Sequence, residues 1–564
     1  MRISPRTVRW ALRIAIVVVG GLQGWAERYS ISPDGVSYLN LSDGWASGNL
    51  SAGINAYWSP LYPAIIGIVR ALVDPTLANE STLLHLVNFL FMVLGLVGFE
   101  LFLAELRARQ TKVHAPAGRN ETSPADSVWW DLFNYGVFAW GALQLISVGS
   151  STPDMIVAAA LYFAAALTLR IHRAPSSWAF VSLGIVLGLG FLAKAAMFLI
   201  GGIWVIVIAA GFRIRAGLPQ RLLAPALFLV VSVPFLVAIS VEKGRLTFGE
   251  TARVNRGWYV NNYPMIWTGE PAGSGVPVHP PVIVNKDPLV IEYPNGAGAS
   301  YPFFDDPSYW TEGMTPRYDL SGLRRQMFKQ LRYYTLSMGP VVLAIVLLSL
   351  AAGPRTVVLR AFGAVPSLSI SMLTLLAGYM TIVTQTRFIA ATVVILAVFG
   401  FDAFRRATLP PPPLLLGAVI AALAVFVAFS RTRATATRTS DVVHQSLMVI
   451  RQLRGDQIPN DHLAIANALS KAGLQRGDKV GVVGSALQGY WARLAGVRIA
   501  VEVPPYARNA YWGGSDSVRS VVEEAIWRSG ARAIVAGGRG VRGDLPGWQP
   551  LPVKGHFVKW PVAR

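Results

Sequence analysis

The feature that most limits what this chain can become is a long series of predominantly apolar runs. They fall at Trp10 to Ala26, Leu83 to Ala104, Trp129 to Gly149, Met155 to Leu169, Trp178 to Ala193, Ala195 to Phe212 and Leu222 to Val241. After a polar stretch they resume at Tyr334 to Ala352, Ala364 to Val383, Phe388 to Phe404 and Leu414 to Ser430. Each is roughly as long as a helix must be to cross a hydrocarbon core about 30 Å thick. In lipid every backbone donor and acceptor must be satisfied within the segment, so such runs become helices. The series predicts a polytopic α-helical membrane protein with about eleven transmembrane helices. Composition fits: 53% of residues are hydrophobic and 14% charged.

Fifty Lys and Arg against thirty Asp and Glu give a formal charge of +20. In a soluble protein this excess would suggest nucleic acid, but here most short-loop basic residues flank alternate ends of the runs. They cluster at Arg2 to Arg13, Arg107 to Arg119, Arg170 and Arg173, Arg213 to Arg221, Arg355 and Arg360, and Arg405 and Arg406. The positive-inside rule makes those ends cytoplasmic. The chain is then a multi-pass cell-membrane protein with its N-terminus in the cytoplasm and its C-terminal region outside. The first run, with its basic start, also fits a signal peptide. Cysteine is absent, which excludes disulfides, thiolate metal sites and a cysteine nucleophile.

Two domains are expected: a membrane domain over residues 1–430, with an outer loop 27–82 and an outer flap 242–332, and a soluble extracytoplasmic α/β domain over 431–564. The flap is rich in Pro, Gly, Tyr and Trp, as in the segment Tyr301 to Trp310, and predicts an ordered, turn-rich element. In the tail, Asn460 or Asp461 caps a helix ending at Gly473, and Ser515 or Asp516 caps another ending at Gly530. Lys479 to Val483, Val497 to Val501 and Ala533 to Val535 read as strands. From Arg431 onward nineteen basic residues face nine acidic ones, a balance suited to anionic lipid or polymer. The Gly481 to Gly489 segment has the wrong spacing for a dinucleotide fingerprint and reads as a tight strand-to-helix turn. HExxH, GxSxG and Walker A patterns are absent.

The topology places Asp34, Asp154, Lys194 and Arg387 near one membrane face. Ionisable groups at membrane depth are costly and usually face a cavity or a partner, which makes each a site candidate. Lys194 and Arg387 also fit snorkelling anchors, and Asp154 after Pro153 also fits a helix cap.

The residues around these groups carry a resemblance. Ser32-Pro33-Asp34-Gly35 through Ser42, then Gly48 and Trp58-Ser59-Pro60-Leu61-Tyr62-Pro63, resembles the start of the GT-C glycosyltransferases, which use polyprenyl-phosphate sugars. That superfamily includes protein O-mannosyltransferases and lipid A aminoarabinose transferases. Ser151-Thr152-Pro153-Asp154 looks like its second acidic motif, Gly188 through Lys194 like its Gly-rich stretch ending in Lys, and Thr386-Arg387-Phe388 like its late Arg-Tyr motif. Phe388 stands where the family has Tyr, and Asp34 lacks a paired acid, the next being Asp43. The resemblance implies a membrane glycosyltransferase of inverting type, moving a sugar from a polyprenyl-phosphate carrier to an extracytoplasmic protein, lipid or polysaccharide.

In that scheme Asp34 and Asp154 are catalytic, with Asp34 the general base, and Lys194 and Arg387 bind the donor phosphate. Arg253 and Arg256 in the flap, with Arg324 and Arg325, are further phosphate candidates or plain solvated charges. Tyr57 and Trp58 are candidates for stacking on a sugar ring or members of an interfacial aromatic belt. No metal ligand set is assigned; Asp305 and Asp306 either attract a divalent cation or cap their turn. Two other functions compete: a transporter or flippase of lipid-linked sugars, and a non-catalytic cell-envelope assembly subunit.

Overall fold

The computed structural model describes residues 4–113, 124–294, 299–351, 363–407, 450–451, 454–455, 458–538 and 540–561. Each apolar run that falls on these residues is helical to within a few positions; the run Leu414 to Ser430 lies outside them. In chain order the helices that bear on the site are α1 (Pro5–Ala26), α2 (Pro33–Ala46), α3 (Leu61–Val73), α4 (Glu80–Val113), α5 (Pro124–Ala139), α6 (Asp154–Arg173), α7 (Ser177–Ala193), α8 (Met197–Ala210), α9 (Leu223–Glu242), α10 (Thr251–Asn255), α11 (Leu320–Ala351), α12 (Pro366–Met380) and α13 (Thr386–Ala407).

Four described helices are long and apolar enough to cross a membrane: Pro5–Ala26, Leu77–Arg109, Asp154–Arg173 and Leu218–Glu242. Their outer faces carry apolar residues in rows, such as Trp10, Ile14 and Val18 on α1 and Val230, Val233 and Val237 on α9, all exposed. An apolar surface of this extent belongs against lipid. Leu61–Val73, Ser177–Ala193, Met197–Ala210 and Pro366–Met380 are shorter apolar helices. The outer loop is more structured than the sequence suggests, since it holds α2 and α3.

The helices alternate in direction, so one end of the bundle collects the basic residues. There Arg13 of α1 grips Glu100 of α4 through two bonds of 2.7 Å, Arg107 of α4 meets Asp131 of α5 at 2.7 Å, and Arg173 of α6 meets Glu105 at 2.8 Å. The other end of the same helices holds Ala26, Glu80, Asp154 and the turn between α5 and α6, and there the candidate residues gather.

Among the described residues the tail sets the helices α14 (Asp461–Lys471), α15 (Tyr490–Ala495) and α16 (Asp516–Arg528), with a short helix at Arg508–Gly513, around a sheet. Asn460 caps α14 and Ser515 caps α16, as the sequence predicts. The seven strands are β1 (Val282–Lys286), β2 (Leu289–Glu292), β3 (Lys479–Val483), β4 (Arg498–Val503), β5 (Ile534–Gly537), β6 (Trp548–Pro550) and β7 (His556–Lys559), in the order β1-β2-β4-β3-β5-β7-β6. β4, β3 and β5 run parallel. β1 and β2 are a hairpin of the outer flap, and β2 pairs antiparallel with β4 through Ile291 and Glu502. The flap thus completes the sheet of the tail. Tyr293 and Tyr301 of the flap both donate to the buried Glu502 carboxylate, at 2.6 and 2.9 Å.

Candidate active site

The site begins with the N-terminus of α2. Ser32 caps the helix by accepting from the Gly35 amide, and Pro33 supplies a fixed φ at the first turn. Asp34 follows in that turn, where the helix dipole favours a carboxylate. The helix end is pinned to the turn before α6: the Ser32 amide donates to Ser151 Oγ at 2.8 Å, and the two serine hydroxyls lie 2.8 Å apart. Gly35 is required by this approach, because a Cβ there would lie 2.5 Å from Ser151 Oγ.

Asp154 opens α6 after Pro153, with Thr152 Oγ1 donating to its Oδ2 at 2.8 Å. Lys194, at the C-terminal end of α7, donates to Asp154 Oδ1. Arg387, in the first turn of α13, reaches both acids: its Nη2 donates to Asp34 Oδ2 at 3.1 Å and its Nε lies 3.3 Å from Asp154 Oδ2. The structure therefore brings together all four ionisable residues singled out in the sequence. Their exposures separate their roles. The Asp154 side chain is 2% exposed and that of Arg387 14%, whereas Asp34 is 38% exposed. Asp34 is open to solvent, whereas Asp154 is the buried partner of both Lys194 and Arg387.

Phe388 also has a place. The Lys194 ammonium sits 3.6 Å from its ring centroid, within cation–π range, and the ring stacks on Tyr379. Three tyrosines border Asp34. The Tyr38 phenol, one helical turn along α2, and those of Tyr57 and Tyr259 are pushed up first by burial and then by the Asp34 carboxylate. Tyr57 and Trp58 are half-buried and meet edge to face at 4.8 Å, and Trp58 packs on Tyr38. Tyr38 was accessible to sequence reasoning as the i+4 neighbour of Asp34, had a helix been assigned. Tyr259 lies far along the flap and carries no local signal.

The flap arginines stand apart from the four-residue cluster. Arg253 pairs with Glu250 and donates to the Thr311 and Met314 carbonyls at 3.2 and 2.6 Å, which ties the flap to itself. Arg256 reaches the Arg317 carbonyl at 3.5 Å. Both line a cavity of about 520 Å³ walled also by Val260, Tyr318, Leu323 and Ile382. Asp306 caps the turn Pro307–Trp310 by accepting from the Ser308 amide and hydroxyl at 2.8 and 2.6 Å, and it pairs with Lys243 at 3.3 Å. Burial, and then Asp306, push the Asp305 carboxyl up to about 6. Among the described residues no group of three His, Asp or Glu side chains is arranged to hold a metal ion.

No family model and no curated protein matches the chain. Among solved structures it is similar to ArnT from Cupriavidus metallidurans bound to undecaprenyl phosphate, at 14% identity over 92% of this chain and 77% of that one, with a TM-score of 0.43. It is similar also to the Archaeoglobus fulgidus oligosaccharyltransferase, at 13% identity over 94% of this chain and 69% of that one, with a TM-score of 0.49.

Proposed function

We propose that this chain is a membrane glycosyltransferase that moves a sugar from a polyprenyl-phosphate carrier to an extracytoplasmic acceptor by a single displacement. The observation that carries the reading is the exposed Asp34 carboxylate, joined through Arg387 to the buried Asp154–Lys194 pair. Asp34 takes the proton from the acceptor hydroxyl as its oxygen attacks the anomeric carbon. The bond from that carbon to the phosphate oxygen breaks, and its electron pair leaves with the lipid phosphate. Arg387, a planar fork, and Lys194, a point charge, stabilise the departing phosphate.

Inversion follows if only one carboxylate meets substrate. Asp154, at 2% exposure, is placed to hold Arg387 and Lys194 rather than to attack a sugar. Entry of the donor phosphate draws the Arg387 fork toward itself and frees an Asp34 oxygen for the acceptor. Tyr57 and Tyr259, whose phenols feel the Asp34 charge, and Trp58, which packs on Tyr57, suit the sugar ring. The cavity beside Arg256, with Val260, Tyr318, Leu323 and Ile382, suits the first units of the lipid chain. The same reading puts the Arg-rich end of the bundle in the cytoplasm, with the N-terminus, and residues 431–564 outside as a soluble domain.

The test uses purified protein in liposomes, given a radiolabelled polyprenyl-phosphate sugar and an extracytoplasmic acceptor fraction. Wild type transfers label, and Asp34→Asn retains donor binding while transfer drops at least about 100-fold. Movement of the donor between leaflets without transfer would identify a flippase and overturn the proposal.

A further inference from the structure

The tail reaches back to the helix that carries Asp34. Arg493, in α15, enters the outer loop of the membrane domain and is only 9% exposed. Its Nε donates to Glu80 at 2.9 Å, Nη1 to Asn40 and Asp43 at 2.7 Å each, and Nη2 to Asp43 at 3.0 Å and Glu80 at 2.8 Å. All five N–H donors of the guanidinium are engaged, with two carboxylates gripped through both oxygens. Arg70 of α3 closes the network, meeting Asp43 and Glu80 at 2.6 Å each and Ser42 at 2.7 Å. Two guanidiniums balance two carboxylates, and Glu80 is 1% exposed.

Asn40 and Asp43 lie on α2, the helix that begins with Asp34. At about 1.5 Å of rise per residue, Asp43 is roughly 13 Å along the axis from Asp34. The helix is thus held at both ends, by Ser151 near the chemistry and by Arg493 at the far end. We infer that Arg493 is a positioning residue through which the C-terminal domain sets the placement of the Asp34 carboxylate. The inference rests on the proposed role of Asp34.

Removing the guanidinium leaves Arg70 alone against two carboxylates, one of them buried, and the far end of α2 loses its clamp. A displacement of about 1 Å at a reacting group costs on the order of 100-fold in rate, so the smaller shift of a helix still held at Ser151 is expected to cost about tenfold. The full-length protein in lipid nanodiscs is compared as wild type, Arg493→Ala, Arg493→Lys and the charge swap Arg493→Asp with Asp43→Arg. Two readouts are taken: transfer kinetics, and amide hydrogen exchange over residues 33–46. The expected result is that Arg493→Ala lowers kcat about tenfold at unchanged donor KM, with faster exchange in α2 but not in α6. Arg493→Lys falls between, and the swap recovers most of the loss. Wild-type kcat and wild-type exchange in Arg493→Ala, or a swap no better than the single change, would overturn the inference. If wild type transfers nothing, the proposed function fails, and the exchange data still decide whether Arg493 clamps α2.

Discussion

Arg387 holds one carboxylate that solvent reaches and one that it does not, and this asymmetry makes separate predictions for the two acids. Asp34→Asn removes an interaction at a partly exposed site, so stability is expected to change by about 1 kcal/mol or less while transfer is lost. Asp154→Asn leaves Lys194 and Arg387 without their buried counter-charge, which costs about 3–5 kcal/mol. Thermal unfolding in detergent separates the two; equal destabilisation would contradict the assignment of Asp154 as the internal partner. Gly35→Ala places a Cβ 2.5 Å from Ser151 Oγ. Overpacking of this kind costs about 1–3 kcal/mol and is expected to reduce transfer as well, with partial recovery in Gly35→Ala combined with Ser151→Gly. The four ionisable residues stand out in the sequence because each lies near the end of an apolar run, where an ionisable group is a site candidate. What was not legible is how distant segments meet: that Arg387 bridges both acids, and that the Asp34 charge is felt by Tyr259 of the flap, follow from the fold.

The outer loop and the flap show why element assignment succeeded in the bundle and fell short outside it. A transmembrane run announces itself by length, whereas α2 dilutes its apolar positions with Ser37, Ser42, Gly35 and Gly44 and reads as a loop. The flap hairpin carries two apolar triplets, Val282 to Val284 and Leu289 to Ile291, but its partner β4 lies more than two hundred residues away. That junction has its own pH dependence. Burial pushes the Glu502 carboxyl from its ordinary 4.5 up to about 7, against the opposing hydroxyls of Tyr293 and Tyr301. Its folded value is raised, so its contribution to stability is complete below about 4.5 and is lost as pH rises through about 7. The loss amounts to roughly 3 kcal/mol. In wild type the unfolding midpoint of the sheet is expected to fall between about pH 4.5 and pH 7 and to level off above that, and in Glu502→Gln this fall is expected to be largely absent. Identical pH profiles for the two proteins would remove Glu502 from that role.

At the scale of the whole molecule the chain divides its charges between two ends. Arg13, Arg107 and Arg173 join neighbouring helices toward one side through Glu100, Asp131 and Glu105, and Asp34, Asp154, Lys194 and Arg387 converge on the other. The tail is joined to that second end twice, by Arg493 on α2 and by the flap hairpin on β4. Its basic surface was visible in the sequence, but neither junction was, because a single arginine in a basic domain and a short hairpin in a long loop look ordinary until they are folded together. The proposed function depends above all on Asp34 acting as the base that faces a lipid-phosphate sugar. Single-turnover transfer from donor already bound to the enzyme tests this most directly. The prediction is full donor occupancy in both wild type and Asp34→Asn, with the sugar leaving its phosphate only in the wild type; transfer at the same rate in the two proteins would contradict it.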